Sequence, residues 1–270
     1  MLSLRSREDI TAWLGHNCIE RLIIISPHLD DAVFSLGGMI SVAPEITEVV
    51  TVHTEGAPDS GDEWARACGF NDASEEHATR RIEDRRAMEY LGCRYHHLGL
   101  RSGELTKAAA RHHVRALLGH SGTGSGSAST LVLLPAGAGG DRPPAPASRW
   151  LRRVLRQPFG SVAHPEHEST RDCFLQVFSA MSTRLCLYAE VPYSWNETPM
   201  QSMKRLSALL SCPLEHVRIR PDLSLKMAAA KFYESQADLI LGRTASYRRR
   251  VLRGDEHLFL LPGGTAAGVF

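Results

Sequence analysis

The feature that most constrains the fold is a series of short, continuous apolar runs rich in valine, isoleucine and leucine. The runs lie at residues 22–25, 49–52, 131–134 and 185–187, with a weaker one at 95–98. Continuous rather than alternating hydrophobicity indicates strands that are buried on both faces, as in a parallel sheet covered by helices.

Between these runs the apolar residues recur at helical spacing. Two such stripes stand out: Cys173, Phe174, Val177, Phe178 and Met181, and Leu225, Ala228, Ala229, Phe232 and Leu239. Alternation of buried strands with amphipathic helices predicts an α/β fold, a Rossmann-like open sheet that is mainly parallel and has helices on both faces.

The chain length and two loop-like stretches predict the domain organisation. A length of 270 residues is within reach of one large α/β domain, and the sequence has no internal repeat. Residues 121–130 have a Gly/Ser linker composition, whereas residues 137–163 begin with a Gly/Pro-rich stretch and include a possible short helix at 150–156. We therefore expect a single domain, 1–270, with a loop insertion at about 137–163. That insertion follows the run 131–134 at its carboxyl end, where open α/β sheets bind ligands.

Charge, hydropathy and cysteine usage restrict the partners. With 31 Lys+Arg against 30 Asp+Glu the formal net charge is +1, so the sequence predicts neither a nucleic-acid partner nor a membrane surface. No signal-like or membrane-spanning apolar segment is found, which favours the cytoplasm. The six cysteines show no CxxC spacing and are expected to be reduced, mostly buried thiols. The oligomeric state is left open.

The sharpest chemical motif follows the first buried run. His28, Asp30 and Asp31 come just past its carboxyl end, and a tight turn there would let His28 and Asp31 converge while Asp30 projects differently. One imidazole and one carboxylate are two thirds of a catalytic zinc site. The alternative is that Asp30 or Asp31 caps the following helix and His28 is a turn residue.

A second motif supplies further imidazoles. His164 and His167 are three residues apart just before an amphipathic segment, so one helical turn places them on one face. Catalytic zinc has three protein ligands and an open fourth position, which His28, Asp31 and one of these histidines would provide. The alternative is a pair of solvated surface histidines.

These residues resemble a known family. HLDDA at residues 28–32 and HPEH at 164–167 look like motifs of the PIG-L (LmbE-like) zinc-dependent deacetylases, and four further segments, 80–92, 97–105, 188–195 and 226–236, are similar in the same order. The resemblance implies one bound zinc with His28, Asp31 and His167 as ligands. It also implies Asp30 as the general base and His164 as the positive group at the oxyanion.

Elementary chemistry agrees with that division of roles. Zinc lowers the pKa of water toward ~7 and polarises a carbonyl, and a carboxylate that is not a ligand can move the proton to the departing amine. The sequence departs from the family's pattern at Leu29, Ala32 and Glu166, and the change to Ala32 removes a residue that would orient a ligand.

The resemblance also suggests residues that contact the substrate. Arg80 and Glu83 share a helical stripe with Ala87, Tyr90 and Leu91, so they should be partly buried, with Arg80 on a substrate hydroxyl and Glu83 orienting it. Without the resemblance they form an ordinary surface pair. Ser102 stands where the family commonly has Asp, which alters hydroxyl recognition there. Gln236 is a weaker candidate for a contact with the substrate.

The predicted function is metal-dependent hydrolysis of an N-acyl, most simply N-acetyl, group from an amino sugar such as N-acetylglucosamine. The substrate is a small molecule, and the long loop favours a glycosylated natural product, as in antibiotic biosynthesis, over a free sugar. Zn²⁺ is the expected cofactor, although such a ligand set also accepts other divalent metals. The alternative is a catalytically inactive Rossmann-like protein that binds a small molecule or nucleotide, prompted by Gly37-Gly38, although no GxGxxG follows the first strand.

Overall fold

The computed structural model describes residues 1–58, 63–119, 129–137, 164–181, 183–192, 198–220 and 223–262. Its strands are β1 (Leu2–Leu4), β2 (Arg21–Ser26), β3 (Thr47–His53), β4 (Arg94–Leu100), β5 (Thr130–Pro135), β6 (Arg184–Tyr188), β7 (Glu215–Ile219) and β8 (Glu256–Leu260). Its α-helices are α1 (Arg7–His16), α2 (Asp31–Val42), α3 (Glu63–Ala67), α4 (Ala73–Leu91), α5 (Lys107–Gly119), α6 (Pro165–Phe178), α7 (Pro199–Leu209), α8 (Ser224–Ala229), α9 (Glu234–Ile240) and α10 (Ala245–Leu252).

The strands form one sheet in the order β1-β7-β8-β6-β5-β2-β3-β4. All strand pairs are parallel except the two that β8 makes with β6 and β7. The predicted α/β fold with a mainly parallel sheet is confirmed, and the five apolar runs correspond to β2 through β6.

The central strand β2 shows why these residues form a covered sheet. Leu22 and Ile24 pack into one core cluster with residues of α2 and α4, and Ile23 and Ile25 pack into the other with residues of α5 and α6. All four side chains are fully buried. Burial of such a side chain contributes about 1.5–3 kcal/mol, so the continuous apolar run requires helices on both faces.

The strand order places a ligand crevice beside β2. The chain passes from β2 to β3 and β4 on one side, and β5 and β6 lie on the other side. In open α/β sheets this reversal of order opens a crevice at the carboxyl ends of the strands. The turn after β2, the end of β3 and the segment after β6 all meet there.

Several features differ from the sequence expectations. Strands β1, β7 and β8 were not predicted. The apolar stripe that begins at Leu225 is divided into α8, a 3₁₀ turn (Ala230–Phe232) and α9, and the buried ring of Tyr233 at the division packs edge-on against Phe34 at 5.3 Å between ring centroids. All six cysteines are free, as expected, but only Cys93 and Cys186 are buried.

The two predicted loops fall largely outside the described residues, as does the possible short helix at 150–156. Within the described ranges, no helix is both long enough and apolar enough to cross a bilayer.

Candidate active site

A tight turn after β2 is fixed by its own side chains. Ser26 Oγ donates to the carbonyl of His28 at 2.8 Å and accepts from the backbone N–H of Ala32 at 3.2 Å. The N–H of His28 donates to Asp31 Oδ2 at 2.9 Å. These bonds span the turn, so the imidazole and the Asp31 carboxylate are held on the same side.

Helix α6 brings His167 to the same point. His28 Nδ1 lies 3.0 Å from His167 Nε2 and 3.2 Å from Asp31 Oδ2, and His167 Nε2 lies 3.5 Å from Asp31 Oδ2. Ligands at 2.0–2.1 Å from a tetrahedral zinc are separated by about 3.3 Å. The three atoms therefore have the spacing of one face of a tetrahedral metal site.

The outer nitrogens of both imidazoles contact carboxylates. His28 Nε2 lies 2.6 Å from Glu166 Oε2, and His167 Nδ1 makes a short contact with Glu190 Oε1. If each carboxylate accepts a ring proton, the inner nitrogens present only lone pairs, and Asp31 adds a third acceptor. Three acceptors at this spacing repel one another unless a cation lies between them, so the donor set fits a divalent metal.

Glu166 and Glu190 also explain how the ligands are oriented despite Ala32. The sequence analysis assigned no role to Glu190; the available signal was an acidic residue two positions after the buried strand β6. Glu190 is 1% exposed, and burial raises its pKa, while its contact with His167 opposes that shift. Burial would raise the pKa of Glu166 as well, but the bond from His28 outweighs it and lowers the pKa.

The pKa values of His28 and Asp31 also indicate a site that favours a positive charge. Burial lowers the pKa of His28, but hydrogen bonds with Asp31 and Glu166 outweigh burial and raise the pKa to about 9. Burial likewise opposes ionisation of Asp31, yet the charge on His167 and the bond with His28 lower its pKa to about 2. Both shifts favour a positive charge in the space that these side chains surround.

Asp30 is not a helix cap in the usual sense. It occupies the N-cap position of α2 but makes no capping hydrogen bond with its side chain, and its φ of 151° is rare for a residue other than glycine. Asp31 is likewise engaged with His28 rather than with the helix. The carboxylate of Asp30 contacts Arg80 Nη2 at 3.3 Å instead. Burial raises the pKa of Asp30 to about 7, against the opposing charge of Arg80.

The predicted pairing of Arg80 with Glu83 is wrong. Arg80 Nη1 donates to Glu76 Oε1 at 3.1 Å, and Nη2 donates to the carbonyl of Leu29 at 3.3 Å as well as to Asp30. Glu83 accepts instead from the N–H and the hydroxyl of Ser235, which join α4 to α9. Helical spacing alone places more than one carboxylate of α4 within reach of Arg80. The packing of α9 against α4 decides which of them binds Arg80. The stripe is buried as expected except for Tyr90, which is 47% exposed.

His164 lies at the N-cap of α6, with its ring centroid 5.2 Å from that of His167. Its Nδ1 accepts from the N–H of Glu166 at 3.4 Å, so a neutral ring carries its proton on Nε2. Burial and the charges on His28 and His167 lower its pKa to about 4. This lowered pKa favours a neutral His164 over the positively charged group that the resemblance implies. A neutral Nε2–H is still a hydrogen-bond donor.

A second metal-ligating set is geometrically possible. One nitrogen each of His28, His164 and His167 lie within 4.8 Å of one another. The set with Asp31 is tighter, with separations of 3.0 to 3.5 Å, and leaves His164 Nδ1 in its capping bond. We favour the set with Asp31 on that ground.

His53 is a site residue that the sequence analysis missed. It ends β3 with its ring centroid 5.7 Å from that of His28, and its Nδ1 donates to the carbonyl of Arg101 at 3.1 Å. That bond holds the loop that carries Ser102, whose side chain hydrogen-bonds Glu166 and helps to lower its pKa. Burial lowers the pKa of His53 itself, which favours the neutral ring.

Gly37 and Gly38 do not form a phosphate loop. They lie in the middle of α2, where the N–H groups of Gly38 and Met39 donate to the buried carboxylate of Glu256 at 2.8 and 2.9 Å. A cavity of about 790 Å³ lies at the opposite, amino edge of the sheet, lined by residues such as Trp13, Leu131 and Leu260, and contains none of the candidate site residues. The nucleotide-binding alternative thus loses its sequence basis.

Comparison with known proteins agrees with this geometry. The family model described as PIG-L, GlcNAc-PI de-N-acetylase, matches residues 23–143. This segment is therefore similar to the PIG-L family. It includes His28, Asp30, Asp31, Arg80, Glu83 and Ser102, whereas His164 and His167 lie beyond its end. No curated protein sequence matches the chain.

Solved structures resemble the fold of the chain as a whole. The A40926 pseudoaglycone deacetylase Dbv21 aligns with 91% of this chain and 98% of its own at 20% identity and a TM-score of 0.62. A zinc-inhibited form of teicoplanin deacetylase Orf2 aligns with 89% and 97% at 20% identity and 0.59, and a deacetylase–teicoplanin complex with 89% and 97% at 19% identity and 0.58. At this identity the likeness establishes the fold.

Proposed function

We propose that this chain hydrolyses the N-acyl, most simply N-acetyl, group of an amino sugar carried on a glycosylated natural-product intermediate. The observation that carries the proposal is the convergence of His28 Nδ1, His167 Nε2 and Asp31 Oδ2 at 3.0 to 3.5 Å, beside the separate buried carboxylate of Asp30. The match of residues 23–143 to the de-N-acetylase family model and the described substrates of the structural neighbours support the choice of reaction and substrate.

The residues divide the chemistry between them. His28, Asp31 and His167 would hold one Zn²⁺, which supplies Lewis acidity for the amide carbonyl and an activated water. Asp30 accepts the proton from the attacking water and passes it to the departing amine, a role that its raised pKa of about 7 suits near neutral pH. His164 Nε2–H donates to the developing oxyanion as a neutral imidazole. Arg80 and Ser102 remain candidates for contacts with substrate hydroxyls.

The first experiment is a screen for free-amine release from N-acetylglucosamine and from N-acylated glycosides by the purified protein. Because one structural neighbour is described as a zinc-inhibited form, zinc is titrated from substoichiometric amounts upward, with Co²⁺, Mn²⁺ and Fe²⁺ in parallel. Release of amine that depends on a divalent metal supports the proposal. Absence of release from every N-acyl sugar at every metal dose contradicts it.

Two neighbouring substitutions separate the roles of the paired aspartates. Asp30→Asn should retain bound metal and lose roughly 10²- to 10⁴-fold in kcat, the usual contribution of a positioned general base. Asp31→Asn should lower the metal content. Asp238→Asn, at an exposed carboxylate, is the matched control and should change neither. Exchange of the two phenotypes would require exchanging the roles.

Residues 138–163, outside the described ranges, connect two points at the site. Gly137, which precedes them, follows β5, and His164, which follows them, begins α6 beside His167. We propose that this segment selects the acceptor rather than enabling hydrolysis. Replacing residues between Gly140 and Val162 by a Gly/Ser bridge should change the ratio of kcat/KM between large and small substrates. An unchanged ratio in a folded, metal-loaded variant would exclude that role.

A further inference from the structure

A chain of side-chain hydrogen bonds connects the protein surface to Asp30. It begins at the indole N–H of Trp64 on α3, which donates to Gln236 Oε1 at 2.7 Å. Gln236 Nε2 contacts Glu76 Oε1 at 3.4 Å, and the same oxygen accepts from Arg80 Nη1 at 3.1 Å. Arg80 Nη2 then reaches Asp30 Oδ2 at 3.3 Å.

Burial differs sharply along this chain. Trp64 is 41% exposed, whereas Gln236 is 0%, Glu76 1% and Arg80 6% exposed. The interior members therefore cannot exchange partners with solvent. Among these residues, the tryptophan presents by far the largest surface to a ligand.

The charges make the interior members interdependent. One guanidinium contacts two carboxylates, those of Glu76 and Asp30, and all three groups are buried. Buried charges are tolerated only when their partners are well placed, and removing one partner leaves another uncompensated. A change at Glu76 is consequently transmitted to the position of Arg80 and of Asp30.

Trp64 combines two properties that suit an acceptor-side contact. Its N–H is anchored, which fixes the ring, and a large part of its apolar surface is exposed. Tryptophan is typical of binding surfaces where one end of the side chain is polar and the other meets an apolar group. It lies four hydrogen bonds from Asp30, so it is removed from the reacting amide and still connected to the proposed general base.

We propose that Trp64 binds the apolar portion of the acceptor, and that Gln236 and Glu76 are positioning residues which, through Arg80, align Asp30 when that contact forms. The inference rests on the proposed deacetylase function and adds a specificity residue to it. Neither the family resemblance nor the neighbours' descriptions assign this role.

The test uses the full chain, loaded with metal, and two probes: N-acetylglucosamine and its octyl glycoside. Trp64→Ala should weaken calorimetric binding of the octyl glycoside by about tenfold and leave binding of N-acetylglucosamine unchanged. Trp64→Phe keeps the ring and loses the N–H, so binding should be nearly retained while kcat falls severalfold. Glu76→Gln should lower kcat about tenfold with KM and metal content unchanged, and it should also lower the melting temperature because Arg80 loses one of its two buried carboxylate partners.

Tyr90→Ala is the matched control, because it removes an exposed aromatic ring on α4 ten residues, or about 15 Å, from Arg80. It should change neither binding nor kcat. Equal affinity of Trp64→Ala and the unaltered chain for the octyl glycoside would overturn the contact, and unchanged kcat in both Trp64→Phe and Glu76→Gln would overturn the coupling. The proposed function fails separately, when the unaltered chain releases amine from no N-acyl sugar at any metal dose. The two failures are therefore distinguishable.

Discussion

Replacing Gly37 by alanine should destabilise the protein even though alanine is the better helix former. Gly37 lies inside α2, where a built Cβ would stand 2.9 Å from Lys226 Cγ and 3.3 Å from Lys226 Cβ. Non-bonded carbon atoms prefer about 3.5–4.0 Å, so the contact requires a shift of several tenths of an ångström.

Lys226 has little freedom to move. It is 1% exposed, and its Nζ donates to Glu256 Oε1 at 2.9 Å, while the same carboxylate accepts from the N–H groups of Gly38 and Met39. Moving the lysine stem therefore disturbs a buried ion pair and two backbone bonds of α2.

The two effects have opposite signs. Helix propensity favours alanine by about 1 kcal/mol, whereas overpacking costs about 1–3 kcal/mol and loss of a buried pair costs more. We expect a net loss of about 1–3 kcal/mol. For a chain of this size that corresponds to a melting temperature lower by roughly 2–5 °C.

The same substitution elsewhere provides the control. Gly15 lies exposed near the end of α1, and a Cβ there would meet nothing within 4 Å. Gly15→Ala should therefore raise stability by about 0.5–1 kcal/mol. Thermal and urea unfolding of both variants measure the difference. A Gly37→Ala variant as stable as the unaltered chain would refute the argument from close packing.

Two further predictions concern ionisable groups. Glu190→Gln removes the carboxylate that contacts His167 Nδ1 and should weaken zinc binding about 10- to 100-fold in a chelator competition. The control Glu89→Gln, on the exposed face of α4, should leave zinc binding unchanged. If Glu190→Gln binds zinc as tightly as the unaltered chain, the carboxylate does not support the ligand. Burial raises the pKa of Glu48, but hydrogen bonds from His96 and Arg21 outweigh burial and lower the pKa to about 2. Because the folded pKa lies below the unfolded value, Glu48 should contribute roughly 3 kcal/mol above the ordinary glutamate range, lost as pH falls from about 4.5 toward 2. Urea unfolding of Glu48→Gln between pH 7 and pH 3 should show a flatter pH dependence, and a slope equal to that of the unaltered chain would exclude this linkage.

The first motif shows how much local sequence can determine. His28, Asp30 and Asp31 are close along the chain, and their position after a buried strand was enough to predict that one imidazole and one carboxylate face the same point. The sequence also predicted that His164 and His167 approach each other, since one helical turn relates them. The central strands were predictable because burial on both faces leaves a continuous apolar run.

The edge strands β1, β7 and β8 were not predictable in the same way. Residues 2–4 are too few to show a pattern, and β7 and β8 contain charged or histidine residues that interrupt the apolar run. Their pairing depends on registers between segments that are distant in the chain, such as Val217 with Leu258.

The sequence by itself thus indicated which residues are candidates for the metal ligands and the general base, because those residues are local to strand ends and helix turns and match the motifs of a known family. Only the tertiary structure decided their partners. Glu190 contacts His167, Glu76 rather than Glu83 contacts Arg80, and Lys226 packs against Gly37. The physical reason is that helical spacing offers Arg80 several carboxylates of similar reach, and the choice among them is made by burial and by helices such as α9 that arrive from more than a hundred residues away.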